Sequence, residues 1–501
     1  MERLRFFVFG RPAVLAVVVT TLAATLAGCA STPRARGTET VDTLMKARGR
    51  PIAGWPTSAG TGGNKEPTAD LAAQPVSRER AVELAFTRNP KVRELYAHLG
   101  IAEADVLQAG RLTNPKLGYI ALRPEGGGLS QITRSVSLGF TDALLWKSRL
   151  RMARGEFDRA RETVADELLD VAARTETAWF DYVAAQQIAE LRRLVAEAGQ
   201  NSADFASKLH AAGNLPPKEL ALELAGAAET RVAAARGKAD EIRARTALAE
   251  AMGISARDSW TVPARLPAPP AALSKAGGSE AELVEQALAT RLDLAAARRE
   301  VTTLQDMTRV ARRFRWLGDV EGGYERESET DGSRLKGPSL SLQVPLFNQN
   351  QGGVLRAQSE SEIAQARLAA LEVTVRNEVA ASLDRIAAAQ EIAESYRSAL
   401  VPQREAVVER TQEEHNYMLQ GVFELLQAKR EQLNAYQEYL ESVRDYWVAR
   451  TELRHVVGGG LQDDAGPSVT TLDVEGLLSP APSARSEEPT PAEHHHNGEA
   501  P

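Results

Sequence analysis

The chain of 501 residues is written twice over. SRERAVELAFTRNPKV from Ser77 aligns with SEAELVEQALATRLDL from Ser279, an offset of about 202, and SVSLGF from Ser135 aligns with SLSLQV from Ser339, an offset of about 204. AAGNL with Gly213 faces MLQGVF with Gly421, and EAMG ending at Gly253 faces RHVVG ending at Gly458, at offsets of about 208 and 205. Four anchors in one order at a nearly constant offset make a tandem duplication. Whatever one half folds into, the other must fold into as well.

Each half has the same grammar. An opening helix is predicted over 77–112 and again over 279–314, with Ser77 and Ser279 as N-caps and an acidic residue two or three positions on. Two short segments follow that break the helical period: NPKLGYIALRP and QITRSVSLGF in the first half, LGDVEGGYERE and GPSLSLQVPLF in the second. Alternations such as Ile132/Arg134/Val136/Leu138 and Leu340/Leu342/Val344 make each pair a β-hairpin. Long helical stretches come next, Leu144 to about Ala211 and Gly353 to about Leu419. In the first, Phe157, Val164, Val171 and Ala178 recur every seven residues with Leu168 and Thr175 between, the spacing of a coiled coil. Such rods are on the order of 100 Å long. Pro402 is expected to kink or break the second. Gly213 and Gly421 then turn each rod into a return helix, both by a left-handed glycine turn.

The flanks differ from the repeats. Residues 1–28 carry Arg3, Arg5 and Arg11, an uncharged apolar run from Ala13 to Ala27 and a small-residue cleavage site, the plan of a signal peptide. The run is shorter than a comfortable membrane-spanning helix of about 20 residues. The chain's one cysteine, Cys29, follows directly. A single cysteine is a partner for another chain, a reactive thiol or a site of covalent modification, and Leu26-Ala27-Gly28-Cys29 resembles the bacterial lipobox, in which the cysteine is lipidated. Ala30 in place of Asp favours, on that resemblance, sorting to the outer membrane. Residues 29–76 read as a lipidated N-terminus and linker, 77–260 as the first repeat, 261–278 as a Pro-rich bridge, 279–457 as the second repeat and 458–501 as a flexible tail. Net charge is −7 and aromatics make up 5% of residues, which gives no nucleic-acid footprint and favours long helices over a large globular core.

These features in this order resemble the TolC-like outer-membrane efflux factors over roughly Ser77 to Gly458. The resemblance rests on the duplication, on Asn114-Pro115-Lys116 before the first strand, on VPLFNQNQGG entering the second rod and on NYMLQGVFELLQAKREQLNAYQEYL at the second turn. It implies a mainly α fold with a small β part. Tandem long coiled-coil helices carry two hairpins, and the four strands of each of three chains close a 12-stranded outer-membrane barrel without exposed edges. It implies a homotrimer set in outer-membrane lipid, whose rod ends dock on a periplasmic adaptor linked to an inner-membrane pump. The docking positions carried over are Gly213, Asn214 and Leu215, with Gly421, Val422 and Phe423. The second turn departs from the family pattern, since Leu426-Gln427-Ala428 comes about one helical turn early. Glu424 and His415 are the candidate lumen-gate residues there, with solvated surface side chains as the alternative.

The cargo is read from the tail and the divergent turn. His494, His495 and His496 between carboxylates suit Cu, Zn or Ni as a labile site, and lean the reading towards heavy-metal efflux, ahead of multidrug or type I secretion channels. A lipid-anchored periplasmic tether without a barrel is the reading from another class. There is no nucleophile elbow, P-loop or metalloprotease signature, so no enzyme and no cofactor beyond the lipid on Cys29 is expected.

Overall fold

The computed structural model describes residues 37–50, 74–270 and 278–459. The signal peptide, Cys29 and His494 to His496 lie outside the described residues. In chain order the first half holds α1 (Thr38–Lys46), α2 (Arg78–Arg88), α3 (Pro90–Ala109), β1 (Lys116–Leu122), β2 (Gln131–Gly139), α4 (Phe140–Ala211) and α5 (Pro217–Met252). The second holds α6 (Glu280–Thr290), α7 (Leu292–Arg313), β3 (Val320–Ser328), β4 (Arg334–Leu342), α8 (Gln351–Ser395), a π-helical turn (Tyr396–Leu400), α9 (Val401–Asn416) and α10 (Val422–Val456).

The predicted opening helices are each a broken pair, α2–α3 and α6–α7. In the first half the cause is local: Pro90 lacks an N–H and disfavours helical geometry at the residue before it, so Asn89 goes extended (ψ 123°). The Asn89 carboxamide then caps the new helix by accepting from the Lys91 amide at 2.9 Å. In the second half no proline is present, yet Arg291 takes the same conformation (ψ 132°). Tertiary contacts hold it there: Arg291 reaches Asp293 at 2.7 Å and Glu378 at 2.6 Å. Ser77 and Ser279 do act as N-caps, and Ser279 with Glu282 forms a reciprocal capping box.

A second correction concerns the linker. Part of it is α1, in which Val41 and Met45 are fully buried and pack with Leu95, Leu99 and Leu168. Val41, Leu44 and Met45 form a one-turn apolar stripe that the Pro/Gly-rich flanks obscure in the sequence.

Helix α4 runs 72 residues without interruption, about 110 Å at the α-helical rise. Its predicted seam is real over the middle: Val164, Leu168 and Thr175 are buried. The second rod does not break at Pro402. The π-helical turn just before it absorbs the proline, with the Val401 amide bonding the Tyr396 carbonyl five residues back. That wider turn relieves the clash between a proline ring and the preceding carbonyls.

The core lies midway along the rods. Trp179, Phe180 and Val183 of α4, Leu248 and Met252 of α5, and Tyr436, Tyr439 and Val443 of α10 close around Trp260 and Leu266 of the bridge region. Phe180 stacks on Trp447, with centroids 5.5 Å apart. The bridge is pinned from both sides, by Gln187 accepting from the Leu266 amide at 2.9 Å and Trp447 Nε1 donating to the Pro267 carbonyl at 2.7 Å. The duplication shows in the seating of the return helices. Gly253 (φ +71°) lies so close to Asn89 that a Cβ would sit 2.6 Å from its backbone. Gly458 (φ +82°) seats in the same way against Thr290 and Arg291.

Candidate functional site: an open sheet and two rod-end turns

The four strands form one antiparallel sheet in the order β1-β2-β3-β4. Both predicted hairpins are present, and β2 pairs with β3 across the two halves. Directly paired residues share a face, so the register sorts the side chains. One face carries Leu117, Val136, Leu138, Tyr324, Leu340 and Leu342. The other carries Lys116, Thr133, Ser135, Ser137, Glu321, Glu325 and Glu327, with Ile120, Leu122 and Leu335 near its loop end. Ser137 Oγ donates to Glu321 at 2.6 Å, and Lys116 pairs with the same carboxylate at 3.3 Å. The apolar side chains are exposed in the single chain, Leu117 by 80% and Leu340 by 75%. Over its helix-side part the sheet is apolar on one face and polar on the other, and with β1 and β4 as open edges it has the makeup of a barrel segment that further strands would close. Among the described residues no helix is long and apolar enough to cross a membrane.

The rods end at two turns built alike. In the first, the Gly213 and Asn214 amides donate to the His210 and Leu209 carbonyls. In the second, the Met418 and Leu419 amides donate to His415 and Glu414. The left-handed residues are therefore Gly213 (φ +78°) and Met418 (φ +59°). Gly421 is extended (φ −79°, ψ 166°) and is the N-cap of α10. The expectation that Gly421 supplies a left-handed turn is thus corrected: the turns align at an offset of about 205, as Gly253 and Gly458 do.

Each turn is also closed by a histidine. His210 Nδ1 lies 2.6 Å from the Leu215 carbonyl and His415 Nδ1 3.1 Å from the Gln420 carbonyl. A carbonyl oxygen only accepts, so Nδ1 carries the proton in both rings. Glu424, at the third position of α10, folds back until its Oε2 would be 2.6 Å from a Cβ at Gly421. As the acidic residue of the first turn it complements the helix N-terminus. Asn214 and Leu215 follow the first turn, while Val422 and Phe423 open α10. Around the second turn Tyr417, Met418 and Leu419 are exposed by 78%, 92% and 74%.

Two charge clusters bind the body. Glu176, 1% exposed, accepts from Arg50 at 2.7 Å and pairs with Arg454 at 3.3 Å, with Arg78 at 3.8 Å. One turn and a half away, His455 Nε2 lies 3.1 Å from Asp170. That hydrogen bond raises the His455 pKa against the effect of burial, and lowers that of Asp170. Burial, and then the Asp293 charge, push Asp166 beside them up to about 6. Nearby, an open groove of about 810 Å³ runs over α4 between α5 and α10, rimmed by Asp181, Arg192, Asp240, Arg444 and Glu452. No group of three or more metal-ligating side chains occurs among the described residues.

This architecture is shared with solved channels. The outer membrane protein VceC from Vibrio cholerae superposes with a TM-score of 0.63 at 16% identity, over 77% of this chain and 97% of that one. The CmeC outer membrane channel of Campylobacter jejuni does so with a TM-score of 0.63 at 14% identity, over 85% and 96%. The fold is that of these outer-membrane proteins. In sequence, the cobalt-zinc-cadmium resistance protein CzcC of Cupriavidus metallidurans is 22% identical over 395 residues, 77% of this chain and 91% of the relative. No family model matches the chain.

Sequence reading missed three participants: His210, Met418 and the α1 segment. His210 could have been found from the second half, since AAGNL was aligned on its glycine and not on the histidine three residues before it.

Proposed function

We propose that this chain is the outer-membrane duct of a tripartite efflux system, acting as a homotrimer and exporting heavy-metal cations. The observation that carries the duct is the amphipathic four-stranded sheet with two open edges, set above rods of about 110 Å. Three copies pairing β1 to β4 would close a barrel of twelve strands, apolar outside and polar within. The rods would continue it as a periplasmic tunnel, and the turns with Gly213, Asn214, Leu215, Gly421, Val422 and Phe423 would meet a periplasmic adaptor and, through it, an inner-membrane pump. Transport through such a duct is passive and involves no turnover. A lipid on Cys29 would add an anchor to the same membrane.

The cargo reading is supported by the likeness to a cobalt-zinc-cadmium resistance protein and by the imidazoles His494, His495 and His496, a set suited to labile Cu or Zn binding. A strain lacking the gene should become sensitive to cobalt, zinc or cadmium salts and regain resistance with the intact chain. Sensitivity to apolar drugs alone would move the assignment to a multidrug channel. A complementing version without His494 to His496 separates a tail role from the duct itself. The periplasmic tether is disfavoured, because a soluble protein would have no use for a sheet face of exposed leucines.

A further inference from the structure

The strand register places cations side by side on the apolar face. Arg134 of β2 pairs directly with Arg326 of β3, and Arg326 with Lys336 of β4. Tyr119 of β1 completes the row. Arg334 lies on the same face one row nearer the loops, paired through Ser328. All four cations are exposed, and among the described residues none of their side chains makes an ion pair or hydrogen bond. No carboxylate lies on that face of the four strands: the glutamates Glu321, Glu325 and Glu327 all point to the other side.

Like charges directly opposite one another in a sheet destabilise it, so this row calls for counter-charge from outside the chain. Its position says which kind. Along β4 the same face reads Leu342, Leu340, Pro338 and then Lys336, so the cations stand roughly 20 Å from the strand's helix-side end, at two residues per 6.8 Å. Barrels of this class bury an apolar band about 25 Å tall, with strands tilted by some 40°. At that tilt the row stands about 15 Å along the membrane normal, in the loop-side half of that band, from where the long arginine and lysine side chains can snorkel towards the headgroups, with Tyr119 beside them.

We propose that Arg134, Arg326, Lys336 and Arg334 form a binding site for the phosphate groups of an anionic lipid of the outer leaflet, with its acyl chains lying on Val136, Tyr324 and Leu340. The inference rests on the barrel reading above. Guanidinium groups take phosphate oxygens in paired hydrogen bonds. The adjoining apolar rows select a lipid over free phosphate, because free phosphate has nothing to place on them. In a closed trimer the row would recur three times around the barrel.

The test uses full-length protein extracted in mild detergent, its trimer mass measured first. Lipid A is the probe, added in micelles to delipidated protein, with phosphatidylethanolamine and inorganic phosphate as the comparison arms. Lipid A should raise the trimer's dissociation temperature where the other two do not, and high salt should remove the gain. The R134Q/R326Q/K336Q variant should bind lipid A at least about tenfold more weakly, since it loses the charge-assisted hydrogen bonds to phosphate. Should that variant fail to assemble, the parent's salt-sensitive response to lipid A alone carries the test. A parent trimer indifferent to lipid A overturns the proposal, as does one stabilised equally by inorganic phosphate or by phosphatidylethanolamine. A protein that is monomeric throughout counts against the barrel reading, and the lipid site falls with it.

Discussion

Gly213 and Met418 hold the same place in the two rod-end turns, both left-handed, yet one has no side chain and the other is 92% exposed. A side chain in this conformation costs about 1 kcal/mol relative to glycine. Met418→Gly is expected to leave thermal stability unchanged or slightly higher, whereas Gly213→Val should lower it by about 1 kcal/mol or more. If the second turn is the one that grips the adaptor, Met418→Gly should also weaken adaptor capture. Unfolding curves and a pull-down on the same preparations separate the two effects.

His210 and His415 latch these turns through Nδ1. Asparagine places an amide N–H near the same point and lacks the far nitrogen, so His210→Asn should preserve the turn. His210→Ala should fray it by about 1 kcal/mol. Hydrogen exchange at the Gly213 and Asn214 amides reads the difference, and equal exchange in both variants would remove the latch.

Arg50, Arg78 and Arg454 converge on the Glu176 carboxylate. Glu176→Gln keeps the shape and leaves those guanidinium groups without their shared counter-charge, at an expected cost of about 3 kcal/mol. It should also loosen the α1 segment from the body, since Arg50 lies four residues beyond the end of α1. Limited proteolysis near residue 50 is the readout, and unchanged cleavage would show that α1 is held by its other contacts, Val41 and Met45 among them, and not through Arg50.

The neighbouring cluster makes stability depend on pH. His455 has a raised pKa in the fold, so its contribution is complete below its ordinary value of 6.5 and is lost as pH rises through the higher folded value. Asp166, raised from 3.8 to about 6, works in the same direction. Its penalty on the fold grows as pH rises from 3.8 to about 6 and is constant above. Asp170, lowered by its bond to His455, contributes above 3.8 and loses that contribution only as pH falls through its depressed value. Melting temperature should therefore fall first between pH 3.8 and about 6, through Asp166, and again above pH 6.5, through His455. His455→Gln should flatten the upper part of that slope and Asp166→Asn the lower. A slope unchanged in both variants would place its origin elsewhere.

Much of this was legible in the sequence because it is periodic. The heptads through Val164 and Leu168, the alternations in β2 and β4 and the serine caps each follow from local chemistry, and the duplication checked every reading twice. What escaped was set by distant partners or by single residues. Arg291 breaks the second opening helix through Asp293 and Glu378, with no proline to announce it. Pro402 announced a kink that a widened turn absorbs. Gly421 drew attention as a glycine, while the residue in the left-handed conformation is a methionine that no turn rule would pick. The cation row on the sheet depends on register between strands about 190 positions apart, which periodicity within one strand does not reveal.

The most direct measurement on the barrel is the mass of the protein extracted from membranes in mild detergent, before and after heating. A species of three processed chains that falls to one on heating is the expected result, because in the closed trimer β1 and β4 are satisfied by neighbouring copies. A monomer at every temperature, held to the membrane solely through Cys29 and released by Cys29→Ala, would leave both strand edges open and contradict the duct.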